Sequence, residues 1–169
     1  FDRVVAVEKD EELVRLLREK FVGEIRDGRL KLIAGDILKL TPEDLGLKNY
    51  AVVANIPYYI TGQFLRDWLS TNPQPRYMVL MLQKEVAKRI VSRSTGSLLQ
   101  GSRLSRVWQS NPPVGGGKES LLSISVKVYG EPNYIETVKR GSFFPVPNVD
   151  SAILKIDDIS RNFFTEFHL

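Results

Sequence analysis

Asn55, Pro57 and Tyr58 stand close together after an apolar run, Tyr50-Ala51-Val52-Val53-Ala54. The run reads as a buried parallel strand. The carboxyl ends of such strands are where open α/β sheets place their ligands. An amide, a turn that exposes backbone carbonyls and an aromatic ring together suit the gripping of a planar base with an exocyclic amine. The adenine N6 amine is a poor nucleophile, because its lone pair is delocalised into the ring. Acceptors on its N–H groups favour pyramidalisation and aim the lone pair at an electrophile. The Asn55 side-chain oxygen and the Pro57 carbonyl suit that role. Tyr58 suits stacking on the base face, worth about 1–3 kcal/mol per base. The same residues also fit a plain proline turn after a strand, with tyrosines packed nearby.

The surrounding pattern alternates strands and helices. Arg3–Val7, Leu30–Ala34, Tyr50–Ala54 and Tyr77–Leu82 read as strands, the last buried on both faces. Asp10 is a candidate N-cap, with Glu11 and Glu12 in the first turn of a helix whose Leu13, Leu16, Leu17 and Phe21 recur at helical spacing. Asp27-Gly28 marks a turn. Thr41-Pro42-Glu43-Asp44 is a compact helix start. Thr61 is a candidate cap for a helix with Phe64, Leu65, Trp68 and Leu69 on one face, broken by Asn72-Pro73-Gln74-Pro75. Lys84–Val91 reads as helix. Leu122, Ile124, Val126 and Val128 alternate with Ser123, Ser125, Lys127 and Tyr129, which predicts a half-buried strand; Ala152, Leu154 and Ile156 repeat the pattern. Strand-helix alternation giving way to adjacent strands predicts a doubly wound α/β sheet with an antiparallel edge.

Composition narrows the function classes. The chain has 169 residues, 43% hydrophobic, with a net charge of +4 and a pI near 9.3. That is a globular composition with enough length for one cored domain. Its modest basicity suits a polyanionic partner. No apolar run is long enough to span a bilayer. There is no cysteine and the one histidine is His168. Disulfides, thiolate metal sites and multi-histidine metal sites are therefore excluded within this chain, and a histidine-dependent triad is disfavoured. Residues 92–117, rich in Ser, Gly and Arg and without an acid, read as an inserted flexible loop, or as an RNA-contacting arm through Arg93, Arg103 and Arg106.

Five stretches, in order, resemble the rRNA adenine N6,N6-dimethyltransferase family. They are Val5–Asp10, Gly35–Leu38, Asn55–Thr61, Met81–Arg89 and Phe143–Ala152. The first two are weak motifs alone and the last three are specific. Gln83–Arg89 resembles the branch acting on small-subunit rRNA more than the antibiotic-resistance branch acting on large-subunit rRNA. The resemblance implies an α/β fold with a Rossmann-like class I methyltransferase sheet, mostly parallel with an antiparallel edge strand and incomplete at the N-terminus. In the family pattern a first strand and glycine-rich turn precede Phe1, and a helical domain follows near Phe163-Phe164. The chain is thus expected to be an internal piece of a longer reading frame, with a partial catalytic domain over 1–157 and the start of a further domain over 158–169. Loss of a mid-sheet strand would leave two unpaired edges.

By the same resemblance, S-adenosylmethionine is the expected cofactor. Glu8 would accept hydrogen bonds from its ribose hydroxyls, Asp36 from its adenine amine, and Ile37 would cover the adenine face. Asn55 counts both as a cofactor-side and as a catalytic residue, beside Pro57 and Tyr58. Phe143 would stack on the target base opposite Tyr58. Lys84, Lys88 and Arg89 would face RNA phosphates, and Asn148 stands where the family often has Lys. On local grounds alone, Glu8 reads equally as a solvated strand end, Asp36 as a turn residue, Phe143 as packing at a proline-rich turn and the basic residues as a solvated helix face. The implied activity is dimethylation of two adjacent adenines near the 3′ end of small-subunit rRNA, by a cytoplasmic monomer needing neither metal nor membrane. Large-subunit rRNA methylation, DNA adenine methylation and a non-catalytic rRNA-binding assembly module are the alternatives.

Overall fold

A computed structural model describes residues 3–92 and 120–163. Arg93, Arg103, Arg106, the rest of the predicted insertion through Gly117, and His168 lie outside the described residues. The chain divides into two compact units after Lys48, and its strands pair as two sheets.

The first unit runs β1 (Val4–Glu8), α1 (Glu11–Lys20), α2 (Val22–Arg26), β2 (Leu30–Ala34), a 3-10 turn (Ile37–Lys39) and α3 (Pro42–Leu45). β1 and β2 are parallel, in register from Val4 with Leu30 to Glu8 with Ala34. Asp10 caps α1 as predicted, its Oδ1 accepting from the Glu12 and Leu13 amides at 2.9 and 3.0 Å. Glu11 and Glu12 in the first turn, with Arg18 and Lys20 in the last, complement the helix dipole. The inward stripe differs from the predicted one. Val14 is the buried residue, flanked by half-buried Leu17 and Phe21, while Leu13 and Leu16 stay exposed. The helix is rotated so that the 14–17–21 spacing faces inward. Gly28 supplies the left-handed turn before β2, with φ 74°. Thr41 and Asp44 form a capping box on α3: Thr41 Oγ1 accepts from the Asp44 amide and Asp44 Oδ2 from the Thr41 amide at 2.8 Å.

The second unit contains β3 (Val52–Asn55), a 3-10 turn (Tyr58–Ile60), α4 (Thr61–Ser70), β4 (Met78–Gln83), α5 (Lys84–Val91), α6 (Leu121–Tyr129), β5 (Glu131–Val138), a second 3-10 turn (Arg140–Ser142) and β6 (Ser151–Asp157). Its sheet has the order β3-β4-β6-β5. β3 and β4 are parallel, and β6 is antiparallel to both β4 and β5. β6 is thus the one reversed strand of this sheet, and it lies one place in from the edge. Met78, Leu80, Leu82, Leu154 and Ile156 are fully buried. α4 adds Phe64, Leu65, Trp68 and Leu69 as predicted, with Trp68 stacked on Phe64 and edge-on to Tyr50.

Four sequence readings are corrected here. Leu122–Val128 lies in a helix, not a strand. Ser120 caps it, and its fully buried residues are Ser123 and Val126, at helical spacing. Ser123 Oγ donates to the Ile90 carbonyl at 2.8 Å, which fixes α6 on α5. Thr61 is the first residue of α4 and makes no cap bond. β3 is not buried throughout, since Val53 is 74% exposed. β4 alternates buried and half-buried residues, so it is not buried on both faces.

Candidate active site

Parallel pairing brings the carboxyl ends of β1 and β2 side by side; β1 ends in Glu8, and Asp36 follows the end of β2 in the next turn. The Gly35 amide donates to the Glu8 carbonyl at 2.9 Å, so the turn carrying Asp36 is held against the end of β1. Glu8 Oε1 accepts from the Asp10 amide at 2.8 Å. Asp36 Oδ2 takes Lys9 Nζ at 2.9 Å and Oδ1 takes the Leu38 amide at 3.1 Å. The Lys9 contact, followed by the Leu38 amide, holds the Asp36 carboxyl below its usual pKa. Ile37 opens the adjoining 3-10 turn and is half-buried. Glu8 and Asp36 offer carboxylate acceptors, which fit the hydroxyls and exocyclic amine of a nucleoside. Asp36 Oδ2 is thus already paired, with Lys9.

The second unit holds the residues expected to grip a base. Asn55 closes β3 and is exposed. Among the described residues its side-chain amide has no hydrogen-bond partner. Ile56 is buried, and its amide donates to the Met81 carbonyl at 3.1 Å, so the backbone after Asn55 is tied to β4. The Pro57 carbonyl accepts from the Ile60 amide at 3.1 Å and from Thr61 Oγ1 at 3.5 Å. The second of these is at the long limit for a hydrogen bond, which leaves one lone pair weakly engaged. Tyr58 is 36% exposed while its hydroxyl pairs with Ser151 Oγ at 3.0 Å. Sequence reasoning assigned Ser151 no role; its place in β6, opposite the turn, is a tertiary fact.

Phe143 follows the second 3-10 turn, with its amide donating to the Arg140 carbonyl at 3.3 Å, and it is half-buried. The loop that carries it is closed at its base by Asp150. The Asp150 Oδ1 accepts from the Arg140 amide at 3.1 Å, its Oδ2 lies 3.4 Å from Lys84 Nζ, and its carbonyl accepts from the Lys84 amide at 3.0 Å. The Arg140 amide, and then Lys84, hold the Asp150 carboxyl below its usual pKa. The three expected phosphate contacts do not form one cluster. Lys84 is engaged with Asp150, Lys88 sits 4.0 Å from Glu85, and Arg89 is exposed a third of a turn further round α5. Among the described residues no helix is long and apolar enough to cross a membrane, and no group of three acids and histidines could hold a metal ion.

Comparison with known proteins gives the chain a family. The sequence profile of the ribosomal RNA adenine dimethylases matches residues 1–109. A small-subunit rRNA methyltransferase A of Dehalococcoides mccartyi is 40% identical over 156 residues, covering 91% of this chain and 45% of that protein. The crystal structure of a dimethyladenosine transferase from Plasmodium falciparum superposes with a TM-score of 0.69 at 26% identity, covering 96% of this chain and 50% of that one. The 23S rRNA methyltransferase ErmE gives 0.67 at 26% identity, covering 92% and 52%. The chain spans about half the length of the curated relatives it matches.

Proposed function

The chain belongs to the ribosomal RNA adenine dimethylase family, and from that premise we propose that it is the catalytic part of an enzyme that methylates the N6 amines of two adjacent adenines in small-subunit rRNA. Residues 1–157 form that part in this reading, and residues from 158 on begin the next domain. S-adenosylmethionine, when bound, supplies a methyl on a sulfonium that is already a strong electrophile. Glu8 accepts from its ribose hydroxyls, Asp36 from its adenine amine once Lys9 yields, and Ile37 covers the adenine.

Asn55 and the Pro57 carbonyl accept from the two N–H groups of the target amine. They orient its lone pair and stabilise the positive charge that develops on nitrogen. Tyr58 and Phe143 supply aromatic surface for the base after it leaves its stack. Lys84, Lys88 and Arg89 contribute attraction for RNA phosphates. No side chain is assigned as a general base; the proton passes to solvent after transfer. The protein works as a cytoplasmic monomer on the small ribosomal subunit in this reading.

One observation carries the proposal: an exposed Asn55 amide without an intramolecular partner among the described residues, at a strand end and next to a tyrosine held by its hydroxyl. In the intact protein Asn55→Ala is expected to lower turnover about 100-fold or more, with affinity for S-adenosylhomocysteine nearly unchanged. Undiminished turnover sinks the assignment. The likeness to ErmE supports a second reading, methylation of large-subunit rRNA. A methylation map of both rRNAs separates the two.

A further inference from the structure

We infer that a cavity beside the target-base turn, within the second unit, seats one unpaired ribonucleotide that flanks the target adenine, with Phe144 as its stacking surface. The inference rests on the reading of Asn55 to Tyr58 as the adenine grip. The cavity measures about 370 Å³ and is lined by Gln83, Lys84, Glu85, Arg140, Asn148, Val149 and Asp150. That volume lies within the roughly 300–1,000 Å³ range of small-ligand sites, and is far more than a lone ion fills.

The charges on its wall decide the class of ligand. Lys84 and Arg140 are offset by Glu85 and Asp150, so a bare anion gains little there. Gln83 and Asn148 each present an amide, a donor and an acceptor together. A nucleotide presents the complementary set: a base edge for the amides, hydroxyls for the carboxylates and one phosphate for a guanidinium. Arg140 serves the phosphate. Among the described residues its side chain makes no ion pair, and its backbone amide is what binds Asp150.

The wall is preformed. Asp150 fastens both Arg140 and Lys84, and the next residue, Ser151, holds the Tyr58 hydroxyl. The cavity and the target-base turn thus share one anchor. The loop between the lining residues Arg140 and Asn148 turns its apolar groups outward. Phe144 is fully exposed and Val146 is 60% exposed. Pro145 and Pro147 restrict the backbone that presents them. An aromatic ring in water, on a loop that begins and ends at the wall of a donor-and-acceptor cavity, is a surface suited to unpaired bases.

The test uses the intact protein and a fluorescently labelled single-stranded RNA pentamer with one central adenine, read by anisotropy. Phe144→Ala, Arg140→Gln and Asn148→Ala are each expected to weaken the pentamer about 5- to 10-fold. S-adenosylhomocysteine affinity should not change, and kcat/KM for RNA should fall with the pentamer affinity. Arg140→Gln keeps the backbone bond to Asp150 and Phe144→Ala removes no buried contact, so these two report on binding and not on folding. Wild-type affinity for the pentamer in all three variants overturns the inference. Equal loss by Phe144→Ala and Asn148→Ala on a pentamer whose nucleotides beside the central adenine are abasic overturns it too, by assigning these residues to the adenine itself. Undiminished turnover in Asn55→Ala identifies instead a failure of the adenine-grip reading.

Discussion

The Tyr58 hydroxyl meets Ser151 Oγ at 3.0 Å, so the turn after β3 is tethered by its ring to the first residue of β6. Ser151 is 2% exposed, and the tether fixes the ring without covering it. Tyr58→Phe should keep the stacking face and lose the tether. Its KM for RNA should rise a few-fold with little change in kcat, whereas Tyr58→Ala should weaken RNA binding about tenfold or more. Ser151→Ala leaves the hydroxyl without this partner, at a cost of about 1 kcal/mol in urea denaturation. A double-mutant cycle should show the two changes to be non-additive.

Lys9 and Asp36 predict a competition. Calorimetric titration of S-adenosylhomocysteine should show weaker binding in Asp36→Ala, by about tenfold. Lys9→Met should bind more tightly than wild type, because the carboxylate is released from its 2.9 Å contact. Weaker binding in Lys9→Met would mean that Lys9 itself serves the ligand.

Gly130 joins α6 to β5 where the chain passes close to the end of β6. A Cβ there would lie 2.8 Å from the Asp157 carbonyl oxygen and 2.9 Å from Ile156 Cγ2. Gly130→Ala should therefore destabilise the second unit by about 1–3 kcal/mol. Urea denaturation gives the figure. An unchanged midpoint would mean that the two segments move apart at no cost.

Asp150 predicts an acid sensitivity. Its folded-state pKa is depressed, so its contribution is present above the unfolded value, about 3.9, and is lost as pH falls through the lower folded value. Hydrogen exchange at the Arg140 amide should accelerate in that acid window. In Asp150→Ala the same amide should exchange fast at every pH. A wild-type rate in the variant would show that the loop is held by other contacts.

Much of this architecture was legible from local pattern. The Asp10 cap, β2 and α5 follow from capping chemistry and periodicity. Leu122–Val128 was misread because its apolar residues alternate over a short span that also satisfies helical spacing; the deciding signal was Ser120, whose hydroxyl accepts from the Ser123 amide. β5 escaped notice because Pro132, Glu131 and Glu136 give it the character of a loop. These residues suit an edge strand, where one side of the backbone need not pair. The Asn55 turn was legible as chemistry because its residues are contiguous. The cavity was not, since it is assembled from residues 83–85, 140 and 148–150. No local pattern encodes such a meeting.

The strand order β3-β4-β6-β5 has a consequence for synthesis. β4 sits between β3 and β6, and Met78 of β4 pairs with Ile156 of β6. A nascent chain that has just emitted β4 can pair it only with β3, and one side of β4 waits until β6 leaves the ribosome. Contacts this distant in sequence slow folding. The waiting edge is a ready template for wrong pairing. The length of chain between the two strands matters less, because each doubling of a closed loop costs only about 0.6 kcal/mol. A nascent-chain arrest series should therefore show protease resistance of β4 rising sharply once Asp157 has cleared the exit tunnel.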